Sequence, residues 1–188
     1  MVRKIQIFLL LSIGAITIVL WPLVVNSPGD KIDEWNNIAV YHNGLMSNVQ
    51  GRNVSSDGYN IGLKWQCVEF VKRYYYQYLN HKMPNSYGNA KDYFNRQLGD
   101  GKFNSDRGLF QYRNGGISCP KPNDIIIFEA SSWNKFGHVA IVIEVRNTEV
   151  EIIQQNDFIN GARRMLKLDG NTCTIENPRV LGWLRKEK

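Results

Sequence analysis

The spacing of apolar residues changes once along the chain, and that change limits the fold more than any other feature. Between residues 67 and 79, apolar and aromatic side chains recur at Val68, Val71 and Tyr75 and at Phe70, Tyr74 and Tyr78. This is the spacing of one helix face, and its aromatic stripe reads as core. Past Pro120 the pattern becomes short apolar runs separated by Asn, Gly and Pro, so residues 124–130, 137–145, 149–156, 163–168 and 180–185 read as strands. A second helix is expected over 89–98. Helices first and an antiparallel sheet after them give an α+β domain.

Ahead of that domain, Arg3 and Lys4 precede an almost uncharged stretch over residues 5–25. About 20 apolar residues span a bilayer as a helix, whereas a secretory signal needs only about 7 to 15. The sequence Val24-Val25-Asn26-Ser27 is a poor cleavage site, so a single transmembrane helix is the expectation and a cleaved signal the alternative. The basic flank favours a cytoplasmic N-terminus, which puts the following domain outside the cytoplasmic membrane of a bacterium, or secreted if the segment is cleaved. Residues 26–39 read as a linker and 40–188 as the catalytic domain.

The 188 residues, 43% hydrophobic, allow one such domain. The net charge of +6 comes from scattered Lys and Arg without a nucleic-acid-binding motif, so no nucleic-acid partner is expected. Three cysteines leave one unpaired if the other two bridge. Cys67 reads as the free thiol, and Cys119 and Cys173 either pair in an oxidising compartment or stay buried and inert.

Cys67 lies in Gly62-Leu63-Lys64-Trp65-Gln66-Cys67-Val68-Glu69-Phe70, which brings a thiol to the first turn of the expected helix. A helix N-terminus offers unpaired N–H groups and partial positive charge, both of which favour thiolate. His138, in Phe136-Gly137-His138-Val139-Ala140, opens an apolar strand and is the best base available. His42, in a turn, and His81, in a polar loop, read as solvated. Gln66 is a candidate oxyanion donor beside the Cys67 N–H. Glu144 shares the side-chain parity of His138 but lies about 20 Å along the same strand, so it cannot orient the imidazole. The end of the next strand can. Alternation puts Gln154 and Asn156 on one face and turns Gln155 away.

The stretches Lys64-Trp65-Gln66-Cys67-Val68-Glu69-Phe70, Gly137-His138-Val139-Ala140-Ile141 and Leu181-Gly182-Trp183 resemble the CHAP domain, the cysteine, histidine-dependent amidohydrolase/peptidase. The resemblance is nearest to the amidase domain of glutathionylspermidine synthetase/amidase. It implies a papain-like fold in which Cys67 attacks an amide carbonyl and His138 transfers protons. The family pattern has glutamate where this chain has Gln154, and Asn156 matches its site-lining asparagine, so either residue could orient His138. No cofactor, metal or ligase activity is expected. The substrate is a peptide or amide conjugate: envelope stem or cross-bridge peptides from the outward topology, or a glutathione–spermidine conjugate from the resemblance. A membrane-anchored binding module without catalysis is the reading from another class.

Overall fold

The structure of the chain, a computed structural model, describes residues 4–12, 15–24 and 26–187. Its elements are β1 (Lys4–Ser12), β2 (Ala15–Val24), β3 (Lys31–Trp35), β4 (Ile38–Tyr41), β5 (Arg52–Val54), β6 (Asn60–Leu63), α1 (Cys67–Gln77), a 3-10 turn at Ala90–Tyr93, β7 (Lys102–Asn104), β8 (Leu109–Arg113), β9 (Ile125–Phe128), β10 (His138–Val145), β11 (Glu149–Ile153), β12 (Arg163–Asp169), β13 (Thr174–Ile175) and β14 (Val180–Arg185). Eight strands form one antiparallel sheet in the order β13-β12-β11-β10-β9-β14-β8-β7. The pairs β1-β2, β3-β4 and β5-β6 stand as separate hairpins.

The central strands are apolar on both faces, and both faces are buried. Ile125, Ile127, Val139 and Ile141 pack with Phe70, Val71, Tyr74 and Tyr75 of α1. On the other face, Ile126, Ala140, Val142, Ile152, Leu166 and Trp183 form a second cluster, built from strand residues alone. That cluster is enclosed because the sheet curls. Asn114, just past β8, exchanges hydrogen bonds with Ile175 of β13 at 2.7 and 3.0 Å, although the two strands stand near opposite ends of the sheet order. A disulfide between Cys119 and Cys173 ties the same two regions. Continuous apolar runs rather than alternating ones are what two buried faces require.

The helix begins where Gln66 is extended (φ −80°, ψ 159°) and accepts the first intrahelical bond, from Phe70 N–H, at 3.2 Å. Glu69 sits in the first turn, where its charge complements the helix dipole. Gly62 lets β6 lie against that turn: a Cβ there would stand 3.0 Å from the Glu69 Cα, at a φ of +137°. Asn80, at φ +47°, turns the chain away after the helix.

Several expectations are corrected. Helices packed on a sheet become, among the described residues, one α-helix on a dominant sheet. The helix expected over 89–98 is only the turn Ala90–Tyr93, because Phe94 is extended and the Asn95 backbone is claimed from both sides by Gln111. Its N–H donates to Gln111 Oε1, and its carbonyl accepts from Gln111 Nε2, each at 2.8 Å. The transmembrane helix expected over 5–25 is also overturned. Residues 13, 14 and 25 of that stretch lie outside the described residues, but Lys4–Ser12 and Ala15–Val24 form an antiparallel hairpin. The stretch holds five Ile and three Val, whose branched Cβ atoms suit extended backbone. Among the described residues, no helix is long and apolar enough to cross a membrane. The 26–39 stretch, read as a linker, carries β3 and the start of β4. The two strands are joined through Asn36 and Asn37 at φ +50° and +62°, and Ile38 enters the core.

Candidate functional site

Cys67 is the first residue of α1 and His138 the first of β10, and the packing of α1 on β10 brings them together. The turn into β10 needs Gly137 at φ +75°, since a Cβ there would meet the Phe128 carbonyl at 2.6 Å. Both side chains are buried, at 9% and 8% exposure, so the pair is shielded from water.

Burial pushes the Cys67 thiol up, but the charge of His138, its hydrogen bond and the backbone N–H groups of Val139 and Val68 outweigh it. The thiol ends below its ordinary range. Burial likewise disfavours the charged imidazole, yet Cys67 raises His138 above its ordinary value, aided by Asp157 and by the Gln154 hydrogen bond. Each shift has the sign that favours a thiolate–imidazolium pair.

Gln154 is fully buried, and its amide bridges two groups. Nε2 donates to the Gly161 carbonyl at 3.0 Å, which turns Oε1 toward His138 Nε2 at 3.1 Å. An oxygen in that position accepts, so His138 carries its proton on Nε2 and presents Nδ1 to Cys67. A neutral amide thereby fixes ring orientation and tautomer.

The strand alternation expected over 154–156 does not hold, because β11 ends at Ile153 and Asn156 takes a left-handed φ of +63°. Asn156 faces Gln66 rather than His138: its Nδ2 donates to Gln66 Oε1 at 2.7 Å and to the Met46 carbonyl at 3.0 Å. The Gln66 Nε2 donates to the carbonyls of Asn48 and Met46 at 2.7 and 3.2 Å. In this arrangement its amide hydrogens serve the 45–48 loop, and the start of a helix offers backbone N–H groups to an oxyanion in its place. Asn43, which sequence reasoning passed over, is buried between these parts. It donates to Asn156 Oδ1 at 3.2 Å and accepts from Trp65 N–H at 3.2 Å. The only signal for it was its Asn-Gly turn.

Gln155 does not point away from the site's framework. It is buried, donates to the Gln66 carbonyl at 3.1 Å and to Glu69 Oε2 at 2.9 Å, and accepts from Tyr41 N–H at 2.8 Å and Arg73 Nη2 at 3.3 Å. His81, read as solvated, is half-buried and bonded to the Arg107 carbonyl at 2.8 Å. His42 is half-buried too, its Nδ1 enclosed without a partner among the described residues, and it lines a small cavity with Gln154 and Asp157.

A thiol primed toward thiolate, an imidazole able to move its proton and first-turn N–H groups are the parts needed to attack a carbonyl and release an amine. The chain is similar to several known proteins. Trypanothione synthetase of Crithidia fasciculata is 28% identical over 141 residues, covering 72% of this chain and 22% of the relative. The bifunctional glutathionylspermidine synthetase/amidase of Escherichia coli (strain K12) is 27% identical over 139 residues, covering 66% and 22%, and that of Shigella flexneri gives the same figures. The chain thus spans less than a quarter of the length of these relatives. The CHAP domain model matches residues 57–156, more than half of the sequence and a span holding Cys67, His138, Gln154 and Asn156, so the chain belongs to the CHAP domain family.

Proposed function

We propose that this chain is a thiol amidase or endopeptidase in which Cys67 attacks an amide carbonyl. The observation that carries the reading is the buried Cys67–His138 pair, with each partner shifted toward its charged form. The Cys67 thiolate adds to the carbonyl carbon, and the first-turn N–H groups stabilise the resulting oxyanion. Collapse breaks the C–N bond, the His138 proton passes to the leaving amine, and a thioester remains on Cys67. Water, deprotonated by His138, then attacks the thioester and releases the acid and the thiolate.

The substrate reading favoured by the relatives is an amide joining glutathione to a polyamine, as the name glutathionylspermidine synthetase/amidase describes for two of them. A second reading, envelope stem or cross-bridge peptides, draws support from the Cys119–Cys173 disulfide, which persists in oxidising compartments. Mass spectrometry of digests of glutathionylspermidine and of purified peptidoglycan separates the two. Release of free spermidine, lost in Cys67→Ala, supports the first, and new peptide termini support the second. Turnover of neither substrate, with Cys67 reactive and the protein folded, would remove both.

A further inference from the structure

A neutral glutamine beside the catalytic imidazole raises the question of what charge balances His138 when it is protonated. Among the described residues, the groups that act on the ring are Cys67 from α1, the Phe128 ring from β9 at 5.8 Å between centroids, Gln154 through its hydrogen bond, and the charge of Asp157, which lines one cavity with Gln154. The other carboxylates around this end of the sheet are already engaged. Glu69 is paired with Arg73 at 2.7 Å, Asp33 with Arg163 at 2.8 Å and Glu129 with Arg96, while Asp92 caps the Asn89 N–H at 2.8 Å. Glu144 lies far along β10 and pairs with Arg146.

Asp157 differs from the four that have a cation partner, Glu69, Asp33, Glu129 and Glu144. Among the described residues, its carboxylate is held only by neutral donors: Ile159 N–H at 3.1 Å, Asn160 N–H at 2.9 Å and Asn160 Nδ2 at 2.9 and 3.0 Å. It is half-buried and lines the same cavity as Gln154. The segment is closed onto the site by two further bonds, Gly161 N–H to the Asp157 carbonyl at 3.2 Å and Gln154 Nε2 to the Gly161 carbonyl at 3.0 Å. The chain that orients His138 therefore also fixes where the Asp157 charge stands.

We propose that Asp157 is a positioning residue that supplies the negative charge of this site, holding His138 as imidazolium through space while Gln154 fixes the ring. Orientation and charge, which one acidic residue commonly combines, are divided between two side chains three positions apart. Burial works against the Asp157 charge, but the Asn160 donors, His138 and the Ile159 N–H together hold its carboxyl below the usual range, so it is ionised whenever Cys67 is reactive. The catalytic consequence rests on the amidase reading; the electrostatic one does not.

The test is therefore a titration rather than a turnover. The chain has three histidines, so the His138 ring resonance is assignable by NMR, with His81, bonded to the Arg107 carbonyl away from this cavity, as internal control. Asp157→Asn keeps an acceptor for Ile159 and Asn160 and removes the charge. It should lower the His138 midpoint by about half a unit to one unit, the scale of one charge acting across partly wet protein. His81 should not move. Asp157→Ser, which also keeps an acceptor, gives the same reading should the amide variant not fold. A His138 midpoint unchanged within about 0.2 unit in a folded variant overturns the proposal. So does an equal shift at His138 and His81, which would mean a general structural effect. Absence of amide hydrolysis in the parent protein would count against the proposed activity and leave this titration intact.

Discussion

Replacing Gln155 with alanine should damage the fold rather than the chemistry, although strand alternation makes it a bystander. Its amide joins three elements: the Tyr41 N–H of β4, the Gln66 carbonyl at the helix start, and the Glu69 and Arg73 side chains inside α1. Gln155→Ala strands the Tyr41 N–H, at about 1–3 kcal/mol for an unsatisfied donor, and removes one donor from the buried Glu69 carboxylate, at about 1.5–3 kcal/mol. Glu69 keeps Arg73 and Asn53 at 2.7 Å each, and the Gln66 carbonyl keeps Phe70 N–H, which limits the loss. A total of about 4 kcal/mol corresponds to a fall of roughly 10 °C in Tm for a domain of this size. Thermal and urea unfolding followed by circular dichroism read it directly. A Tm within about 2 °C of the parent would refute the argument that this amide holds the helix start to the strand end.

Cys67→Ala should abolish hydrolysis with the fold retained, and should lower the His138 midpoint because the thiolate that stabilises imidazolium is gone; retained turnover above about a hundredth of the parent counts against the nucleophile. Iodoacetamide should alkylate Cys67 below the pH at which an ordinary thiol reacts, since its pKa is lowered, and an alkylation midpoint at or above about 8.5 would contradict the pair. Gln154→Glu should raise the alkaline limb of activity, because a carboxylate stabilises imidazolium, but should also lower Tm, because it replaces the donor to the Gly161 carbonyl with a second acceptor; an unchanged Tm would mean that bond carries no weight. Cys119→Ser should cost about 4 kcal/mol by loop-closure entropy across the 54-residue separation, a loss checked by urea unfolding with and without reductant.

Strands β9 to β12 and β14 were legible because their runs are long, β-branched and bounded by turn residues, while the two-residue β13 was not. Residues 180–185 match β14 end for end. Shorter strands were not legible: β5 and β7 have three residues each, too few to show a period. The β3-β4 hairpin did carry a signal, two consecutive asparagines between Trp35 and Ile38, since Asn tolerates the positive φ that such a turn needs. Over residues 5–25, hydrophobicity was read as a helix because length outweighed composition. The β-branched content argued the other way, and hydropathy alone cannot distinguish a spanning helix from apolar strands.

The site divides along the same physical line. Cys67 and His138 were legible because each begins an element whose period marks its start, and the element, not the loop, aims the side chain. Gln154, Gln155 and Asn156 lie just past the end of β11, where alternation no longer applies, and each is aimed by its hydrogen-bond partners. Those partners, Gly161, Glu69, Gln66 and Asn43, belong to separate parts of the sequence, so no local pattern could order them. The same holds for the charge. Asp157 directly follows the residues singled out, but its standing depends on every other nearby carboxylate having a cation or cap of its own, a property of the folded chain that no spacing records.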